Sequence, residues 1–241
     1  MNRRRSAVGA IILVSLVLFG VELRGQSMTG TSGLFMTPTA QTMPDRTVIL
    51  GGGYIPYGYT LYDSRSNGLS TYFVNVTYLP RVELMFRYAW KLGADRGPGI
   101  SLFADRHVSG RVLVIKESHY VPAIVFGVHD PGKSSGVAAN RYFGANYLVG
   151  TKHVDLRYVR AGVHVGYAFD LFGEPTQVFD GVFGGVSVSA AGIPGIELIA
   201  EHDSFRYNVA GRVLLFGRVQ VMAGLLDLKD FSGNVSYRFG F

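Results

Sequence analysis

The chain has 241 residues, no cysteine and a formal net charge of +6. Without cysteine it can form no disulfide and carry no lipoprotein-type lipid anchor, which excludes the usual small secreted scaffolds. Residues 1–25 hold four arginines against one glutamate, so the remainder has 19 basic and 16 acidic residues and a net charge of only +3. This surplus is small, and the basic residues form no cluster on one face. We therefore expect no nucleic-acid partner.

The N-terminus has the order charged, apolar, polar that is typical of a secretory signal peptide. Arginines at positions 3–5 precede an apolar run from Ala7 to Val21, and a polar stretch follows at 22–27. The apolar run is shorter than the ~20 residues that a membrane-spanning helix needs. We therefore expect residues 1–25 to be a signal peptide, cleaved after Gly25.

Residues 26–46 are rich in Ser, Thr, Gly and Pro and show no periodic pattern. We expect this segment to precede the folded strands. Two placements stay open for it: the segment remains in the periplasm, or it threads into the lumen of a barrel as a plug.

From residue 47 onward the chain alternates between apolar and polar side chains with a period of two. In residues 82–91, for example, Val82, Leu84 and Phe86 share one face, whereas Glu83 and Arg87 share the other. Because successive side chains of a strand point to opposite faces, one face is apolar and the other polar. The pattern recurs in segments of about ten residues at 47–56, 70–79, 81–91, 103–116, 120–129, 140–150, 157–169, 181–190, 195–202, 205–216, 218–227 and 232–241.

These lengths favour a membrane barrel over a soluble sandwich. Strands of soluble sheets average five or six residues, whereas outer-membrane strands need about 9–11 to cross along a tilted path. Lipid also requires a closed sheet, and bacterial barrels have an even number of strands. The sequence thus predicts an all-β fold over 47–241, a closed antiparallel transmembrane β-barrel of about twelve strands, with ten as the alternative.

Aromatic residues near strand ends are candidates for the two girdles that such barrels place at the membrane interfaces. Ordinary aromatic packing in a core is the alternative for each of them. With a periplasmic N-terminus, we expect turns 79–82 and 117–120 in the periplasm and the longer connections 58–69, 91–100 and 129–139 outside. The girdle candidates are Tyr54, Tyr57, Tyr78, Trp90, Tyr120, Tyr147, Tyr167, Phe169, Phe205 and Phe216.

The last strand ends on Phe, with Val235, Tyr237, Phe239 and Phe241 in one phase. This pattern resembles the C-terminal signal by which outer-membrane barrels are recognised by their insertion machinery. Physically it is an amphipathic closing strand whose apolar face meets lipid.

Catalytic chemistry finds little support in the sequence. The six histidines lack metal-ligand spacing, and the run His202-Asp203-Ser204 is better explained as a polar turn than as a triad, whose members are normally distant in sequence. We expect no catalytic, cofactor-binding or metal-binding residues, and no enzyme.

Charged residues in the inward phase form a candidate polar network of the lumen. Either they line a polar conduit or a saccharide-contacting wall, or they pair across the lumen as a structural plug of salt bridges. A barrel near this size has a slim interior, which favours the structural role. The candidates are Glu83, Arg87, Arg160, His164, Glu197, Glu201, Arg206, Arg212 and Arg238.

Two stretches resemble the YjbH-like family of bacterial outer-membrane proteins associated with exopolysaccharide production. The first is Gly33-Leu34-Phe35-Met36-Thr37-Pro38-Thr39-Ala40, similar to the family's opening segment before its first strand. The second runs from Glu117 to Asp130 and continues from Tyr142 to Lys152, similar to a hairpin of the family. The sequence departs from the family pattern in two ways. The chain is short and is expected to hold a single barrel, and Pro131 displaces the usual Gly after Asp130.

The resemblance implies a location in the bacterial outer membrane and a non-enzymatic role in exopolysaccharide export or assembly. The expected partners are outer-membrane lipid, lipopolysaccharide, the barrel-insertion machinery and polysaccharide export proteins. Two alternatives stay open: a lipid-modifying enzyme of the lipid A deacylase or phospholipase type, and a structural or adhesive barrel.

Overall fold

A computed structural model describes residues 24–59, 67–93, 103–131, 145–169, 171, 179–190, 192–193 and 195–241. Twelve antiparallel strands close into a barrel in which each strand pairs with its neighbours in sequence and β12 pairs with β1. The predicted all-β class, the closed antiparallel barrel and the count of twelve strands are confirmed. Residues 1–23, which contain most of the predicted signal peptide, lie outside the described ranges.

The strands follow one another in chain order, and a single 3-10 turn at Tyr57–Tyr59 follows the first of them. The strands are β1 (Thr47–Pro56), β2 (Gly68–Thr77), β3 (Val82–Leu92), β4 (Phe103–Ile115), β5 (Ala123–His129), β6 (Ala145–Asp155), β7 (Val159–Phe169), β8 (Gly181–Ala190), β9 (Ile196–His202), β10 (Tyr207–Leu215), β11 (Val219–Leu226) and β12 (Asp230–Gly240).

Within the described ranges, no helix is long and apolar enough to cross a membrane.

Predicted and observed strand ends differ most at β5 and β6. β5 begins at Ala123 rather than at residue 120, directly after Pro122, which has no amide hydrogen to donate to a ladder. β6 runs on to Asp155 rather than ending at Gly150, because Thr151–Asp155 continue the pairing with β7 as far as Arg160.

Closure depends on the pairing of the first and last strands. Thr47 faces Gly240, and the register continues to Tyr54 opposite Gly233. Beyond the ladder, the amide of Phe241 donates to the carbonyl of Arg46 at 3.0 Å. The terminal strands thereby leave no open sheet edge, which removes the unpaired backbone groups that an edge exposes.

The outer face of the barrel wall is apolar, whereas its inner face carries buried charged and polar side chains together with apolar ones such as Val125 and Ile199. On β3, Leu84 and Phe86 are about half exposed on the outer face, whereas Glu83 and Arg87 are buried on the inner face. Water-soluble proteins bury their apolar side chains and almost never fully bury Glu or Arg unless these are paired. The strand alternation is therefore inverted relative to a soluble barrel.

Three inward aromatic rings lie over glycines of the neighbouring strand. Tyr147 faces Gly127, and in the same way Phe183 faces Gly166 and Phe73 faces Gly51. A Cβ atom at Gly127 would overlap the Tyr147 ring. Tyr147 was predicted as a girdle residue, and that prediction is wrong, because its phase on β6 places the ring in the interior at 1% exposure.

The two ends of the barrel differ in the length of their connections. At the end where β1 begins and β12 finishes, called the terminal end, the connections are 78–81, 116–122, 156–158, 191–195 and 216–218. At the opposite end, called the loop end, they are 57–67, 93–102, 130–144, 170–180, 203–206 and 227–229. All connections at the terminal end, which include the predicted turns 79–82 and 117–120, are short, whereas the loop end has the four long connections beside the short turns 203–206 and 227–229.

Adding a methyl group under the Tyr147 ring tests this packing. We expect Gly127→Ala to destabilise the folded barrel by about 1–3 kcal/mol, the usual cost of overpacking. The matched control is Gly211→Ala on β10, where a Cβ atom would meet nothing within 4 Å. Heat-dependent migration in gel electrophoresis gives the unfolding midpoint, and equal midpoints for the two variants would contradict this packing.

Candidate functional site

The N-terminal segment lies inside the barrel. Residues 26–43, called the plug, are almost entirely buried, with Met28 and Phe35 at 0% exposure. The plug folds back on itself. The amide of Met28 donates to the carbonyl of Phe35 at 2.7 Å, and the amide of Leu34 donates to the carbonyl of Thr37 at 2.8 Å. Other amides and carbonyls of the plug bond to side chains of the wall, which matters because an unpaired buried amide is costly.

Glu201 on β9 holds the centre of the plug. Its carboxylate accepts hydrogen bonds from the amides of Phe35 (3.0 Å), Met36 (2.7 Å) and Thr37 (3.1 Å). The hydroxyl of Thr37 donates to it at 2.8 Å, and the side-chain amide of Asn208 on β10 donates at 3.0 Å. Such charge-assisted bonds are stronger than neutral ones, so this single side chain fixes a complete turn of the plug.

Glu83 on β3 and Arg111 on β4 also bind the plug. Glu83 accepts from both the amide and the hydroxyl of Ser32 at 2.8 Å. Arg111 donates to the carbonyls of Ser32, Thr39 (2.5 Å) and Gln41 (2.5 Å). The two side chains face each other across the β3–β4 ladder, and the closest approach of their charged atoms is 3.9 Å.

Arg212 on β10 binds a third point of the plug. One of its terminal nitrogens donates to Glu197 on β9 at 2.8 Å. The other donates to the carbonyls of Gly33 (2.5 Å) and Leu34 (2.7 Å). The guanidinium therefore joins one carboxylate of the wall to two backbone acceptors of the plug.

Uncharged side chains complete the wall around the plug. The Gln220 amide accepts from the backbone amide of Gln26 and donates to the carbonyl of the same residue, both at 2.8 Å. Asn234 donates to the carbonyl of Ser27 at 3.0 Å, and the Thr151 hydroxyl accepts from the amide of Ala40 at 2.8 Å. Most of the hydrogen bonds between the wall and the plug involve the plug backbone rather than its side chains.

The structure gathers six of the nine predicted network residues in the interior. Glu83, Glu197, Glu201 and Arg212 form the contacts described above. The other two bond to side chains of the wall: Arg87 donates to Nδ1 of His107 at 3.1 Å, and Nδ1 of His164 lies 2.9 Å from the Thr151 hydroxyl oxygen.

Three predicted members lie at the barrel ends instead. Arg160 is half-buried at the terminal end, 3.6 Å from Asp155. Arg206 precedes β10 at the loop end, and its guanidinium stacks on Tyr59 at 4.6 Å. Arg238 donates to the carbonyl of Arg24 at 2.6 Å at the edge of the plug. Arg160 and Arg238 have the predicted inward phase, but phase does not say how far along the barrel axis a residue lies, and Arg206 lies in a connection rather than on a strand.

The two buried ion pairs described above do not cross the lumen. Glu197 and Arg212 are direct register partners on neighbouring strands, and so are Glu83 and Arg111. The space between opposite walls is filled by the plug, so charges on opposite sides of the interior contact its backbone instead of each other.

Arg111 is the main site residue that the sequence prediction missed. It shares the inward phase of β4 with His107 and Ser109, in alternation with Val108, Gly110 and Val112. This alternation in the sequence could have identified Arg111 as an inward-facing residue. The uncharged members Asn75, Asn208, Gln220 and Asn234 were missed because only charged residues and a histidine were chosen as candidates.

The predicted insertion signal lies on the outer face of β12. Val235, Phe239 and Phe241 are exposed, and Tyr237 is half-buried with its ring 4.5 Å from that of Phe239. Phe241 stacks on Tyr78 of the neighbouring turn at 6.3 Å.

A second polar cluster lies at the terminal end, where the plug leaves the barrel. Glu117 accepts from the amide and from Nδ1 of His153, both at 2.7 Å, and lies 3.4 Å from Nζ of Lys152. Burial raises the pKa of Glu117, but the hydrogen bonds from His153 and Lys152 outweigh it, so the pKa of this carboxyl lies below its usual value. Glu117 therefore stays ionised at neutral pH.

Within the described ranges, no three His, Asp or Glu side chains converge on a point that would hold a metal ion. Two Ser–His contacts in those ranges, Ser109 with His129 at 2.6 Å and Ser187 with His164 at 3.3 Å, are buried beneath the plug. The run His202-Asp203-Ser204 is a turn: Asp203 accepts from the amides of Phe205 and Arg206.

Comparison with known families matches residues 25–187 to the family model described as YjbH, exopolysaccharide biosynthesis protein YbjH. The chain belongs to the YjbH family. The match begins at Gly25, directly before the plug, and continues through β7 into β8, so the YjbH pattern includes the plug together with more than half of the wall. A search of curated proteins found no match.

Weakening the Glu201 contacts tests how the plug of this YjbH protein is held. Glu201→Gln replaces one acceptor oxygen with a donor that faces other donors, so we expect the plug to loosen. Because the chain has no cysteine, Met36→Cys supplies a single reporter thiol at a buried site. We expect maleimide labelling of this thiol in the folded barrel to be slow, and at least about tenfold faster with Glu201→Gln, as loss of one charged hydrogen bond implies.

Asp155→Asn provides the matched control, since Asp155 is a largely exposed carboxylate that pairs with Arg160 on the wall and not with a plug residue. Labelling of the reporter thiol should stay slow in that background. Equal labelling rates in the Glu201→Gln and Asp155→Asn backgrounds would show that Glu201 does not retain the plug.

Proposed function

We propose that this YjbH-family chain is a non-enzymatic barrel of the bacterial outer membrane that assists exopolysaccharide export or assembly. The link to exopolysaccharide rests on the family match over residues 25–187. The membrane location rests on the inverted wall, which is the observation that carries the proposal.

The outer surface supports a lipid environment. Exposed apolar side chains line the wall around the barrel, among them Tyr72, Leu84, Val165 and Leu198. Contiguous apolar surface on this scale is rare on soluble monomers and marks an interaction with membrane or protein. Lipid fits best, because the apolar belt continues around a closed barrel, and closure is what a β-structure needs in a bilayer.

The termini support export and insertion. Residues 1–25 have the composition of a cleaved signal peptide, and β12 presents Val235, Phe239 and Phe241 outward. Aromatic residues at both ends suit interfacial girdles, such as Tyr120 and Phe216 at the terminal end and Trp90 and Phe205 at the loop end. Outer-membrane lipid, lipopolysaccharide and the insertion machinery are the partners that these features would meet.

The filled interior supports an assisting role rather than a continuous conduit. With the plug in place, its backbone occupies the space between Glu201, Glu83 and Arg212. A polymer passing through would have to displace these contacts. We therefore propose that the protein acts at the two ends of the barrel, in contact with polysaccharide export proteins.

Two other functions make different predictions. A lipid-modifying enzyme needs an outward-facing Ser/His pair at a barrel rim, whereas the Ser109–His129 and Ser187–His164 contacts face inward. A structural or adhesive barrel would depend on its loops for binding and would leave polysaccharide unchanged.

Deletion of the gene in its own host tests the proposal. We expect extracellular polysaccharide to fall, lipid A to stay unaltered, and the complementing protein to fractionate with the outer membrane. Complementation with a chain lacking residues 232–241 is the matched control, since it removes most of β12, the closing strand. Unchanged polysaccharide, or a protein recovered outside the outer membrane, would contradict the proposal, and altered lipid A would favour the enzyme.

A further inference from the structure

A cavity of about 650 Å³ opens at the terminal end, between the exit of the plug and two short turns. Gln41 to Asp45 of the chain form one side, and Pro80, Arg81, Lys116 and Glu117 of the turns lie opposite. The volume lies within the range of small-molecule binding sites, about 300–1,000 Å³.

The lining of this cavity has a surplus of positive charge. The barrel contributes Arg81, Lys116 and Arg160 against the carboxylates of Glu117 and Asp45, and Arg160 also lies 3.6 Å from Asp155 outside the lining. Arg24 also lines the cavity, but it belongs to the predicted leader and we do not rely on it.

Both carboxylates of the lining have partners of their own. Glu117 accepts from the amide and ring of His153 and lies beside Lys152, which is not part of the lining. Asp45 accepts from the amide of Arg46 at 2.9 Å. The positive charge of Arg81 and Lys116 is therefore not neutralised by a short contact with either carboxylate.

The backbone fixes the position of Arg81. Its φ angle of 75° lies in the left-handed region, which costs a non-glycine residue about 1–2 kcal/mol. Its carbonyl accepts from the amide of Leu113 on β4 at 2.8 Å, which ties the turn to the neighbouring strand. Strained positions of this kind concentrate at binding sites, where the surrounding structure holds them.

Apolar atoms lie beside these cations. Met43 and Pro44 of the chain leading from the plug, and Pro80, Leu113 and Ala123 of the wall, share the same cavity. A sugar ring has apolar C–H faces and polar edges, so a pocket that combines apolar surface with cations suits an acidic sugar better than a simple ion.

We propose that this cavity binds an acidic saccharide, whose carboxylate or phosphate groups contact Arg81, Lys116 and Arg160. The inference rests on the proposed function and names the class of polysaccharide it would serve: one that carries negative charge. The site lies at the end that we assign to the periplasm, where a polymer arriving for export would first meet the barrel.

The test is calorimetric titration of the full mature chain, refolded in detergent, with three tetrasaccharides of equal length. One is tetragalacturonate, one is a phosphorylated mannotetraose, and one is the neutral maltotetraose. We expect at least one acidic probe to bind at least about tenfold more tightly than the neutral one, the ratio that two or three charged contacts provide. The preferred probe identifies carboxylate or phosphate as the charged group.

Variants locate the binding. We expect Arg81→Gln with Lys116→Gln to weaken the acidic probe about tenfold and to leave the neutral one unchanged. The matched control is Arg157→Gln with Arg218→Gln, which removes two cations from turns of the same end outside the cavity. Equal weakening in both double variants, or equal binding of acidic and neutral probes to the unaltered chain, would overturn the proposal.

The comparison of probes on the unaltered chain does not depend on the folding of any variant. Its outcome is also separate from the deletion experiment. Polysaccharide loss on deletion without acidic-sugar binding would refute only the site, whereas binding without polysaccharide loss would refute only the proposed function.

Discussion

The buried backbone of the plug is the constraint on which the rest of the interior depends. Residues 26–43 lie inside a closed barrel, where water cannot satisfy every amide and carbonyl. An unsatisfied buried polar group costs about 1–3 kcal/mol, so a plug of this length requires polar side chains all around the wall. Glu201, Glu83, Arg111 and Arg212 meet this need, each with at least two hydrogen bonds to the plug.

This constraint explains why the wall is inverted. Polar side chains face inward where they bind the plug, and apolar side chains occupy the outward phase of the alternating strands. It also explains why charged partners such as Glu197 and Arg212 are neighbours on adjacent strands. Each pair limits the cost of burying its own charge locally, and the remaining hydrogen-bonding capacity is directed at the plug.

The strand pattern was readable from the sequence because side-chain alternation is local. Ten-residue segments of period two were enough to predict twelve strands, and neighbouring strands then pair in order. Strand ends were less certain: β6 continues to Asp155 through Lys152 and His153, a stretch whose pairing with β7 decides its structure.

The site could be predicted only in part, because its contacts join residues far apart in sequence. Glu201 meets Phe35 across 166 positions, and residues 26–46 have no periodicity that would place them inside or outside the barrel. Inward phase identified Glu201 and Arg212 but not the depth of Arg206 along the axis. Tyr147 was misassigned for the related reason that an aromatic near a strand end can face either side, and here it covers Gly127.

Hydrogen–deuterium exchange of the folded barrel in a bilayer or detergent measures the central claim directly. The amides of Phe35, Met36 and Thr37, all donors to Glu201, should be protected to the degree of strand amides such as those of Val125 and Val149. Exchange of these three amides at the rate of exposed loop residues would contradict a plug held inside the barrel.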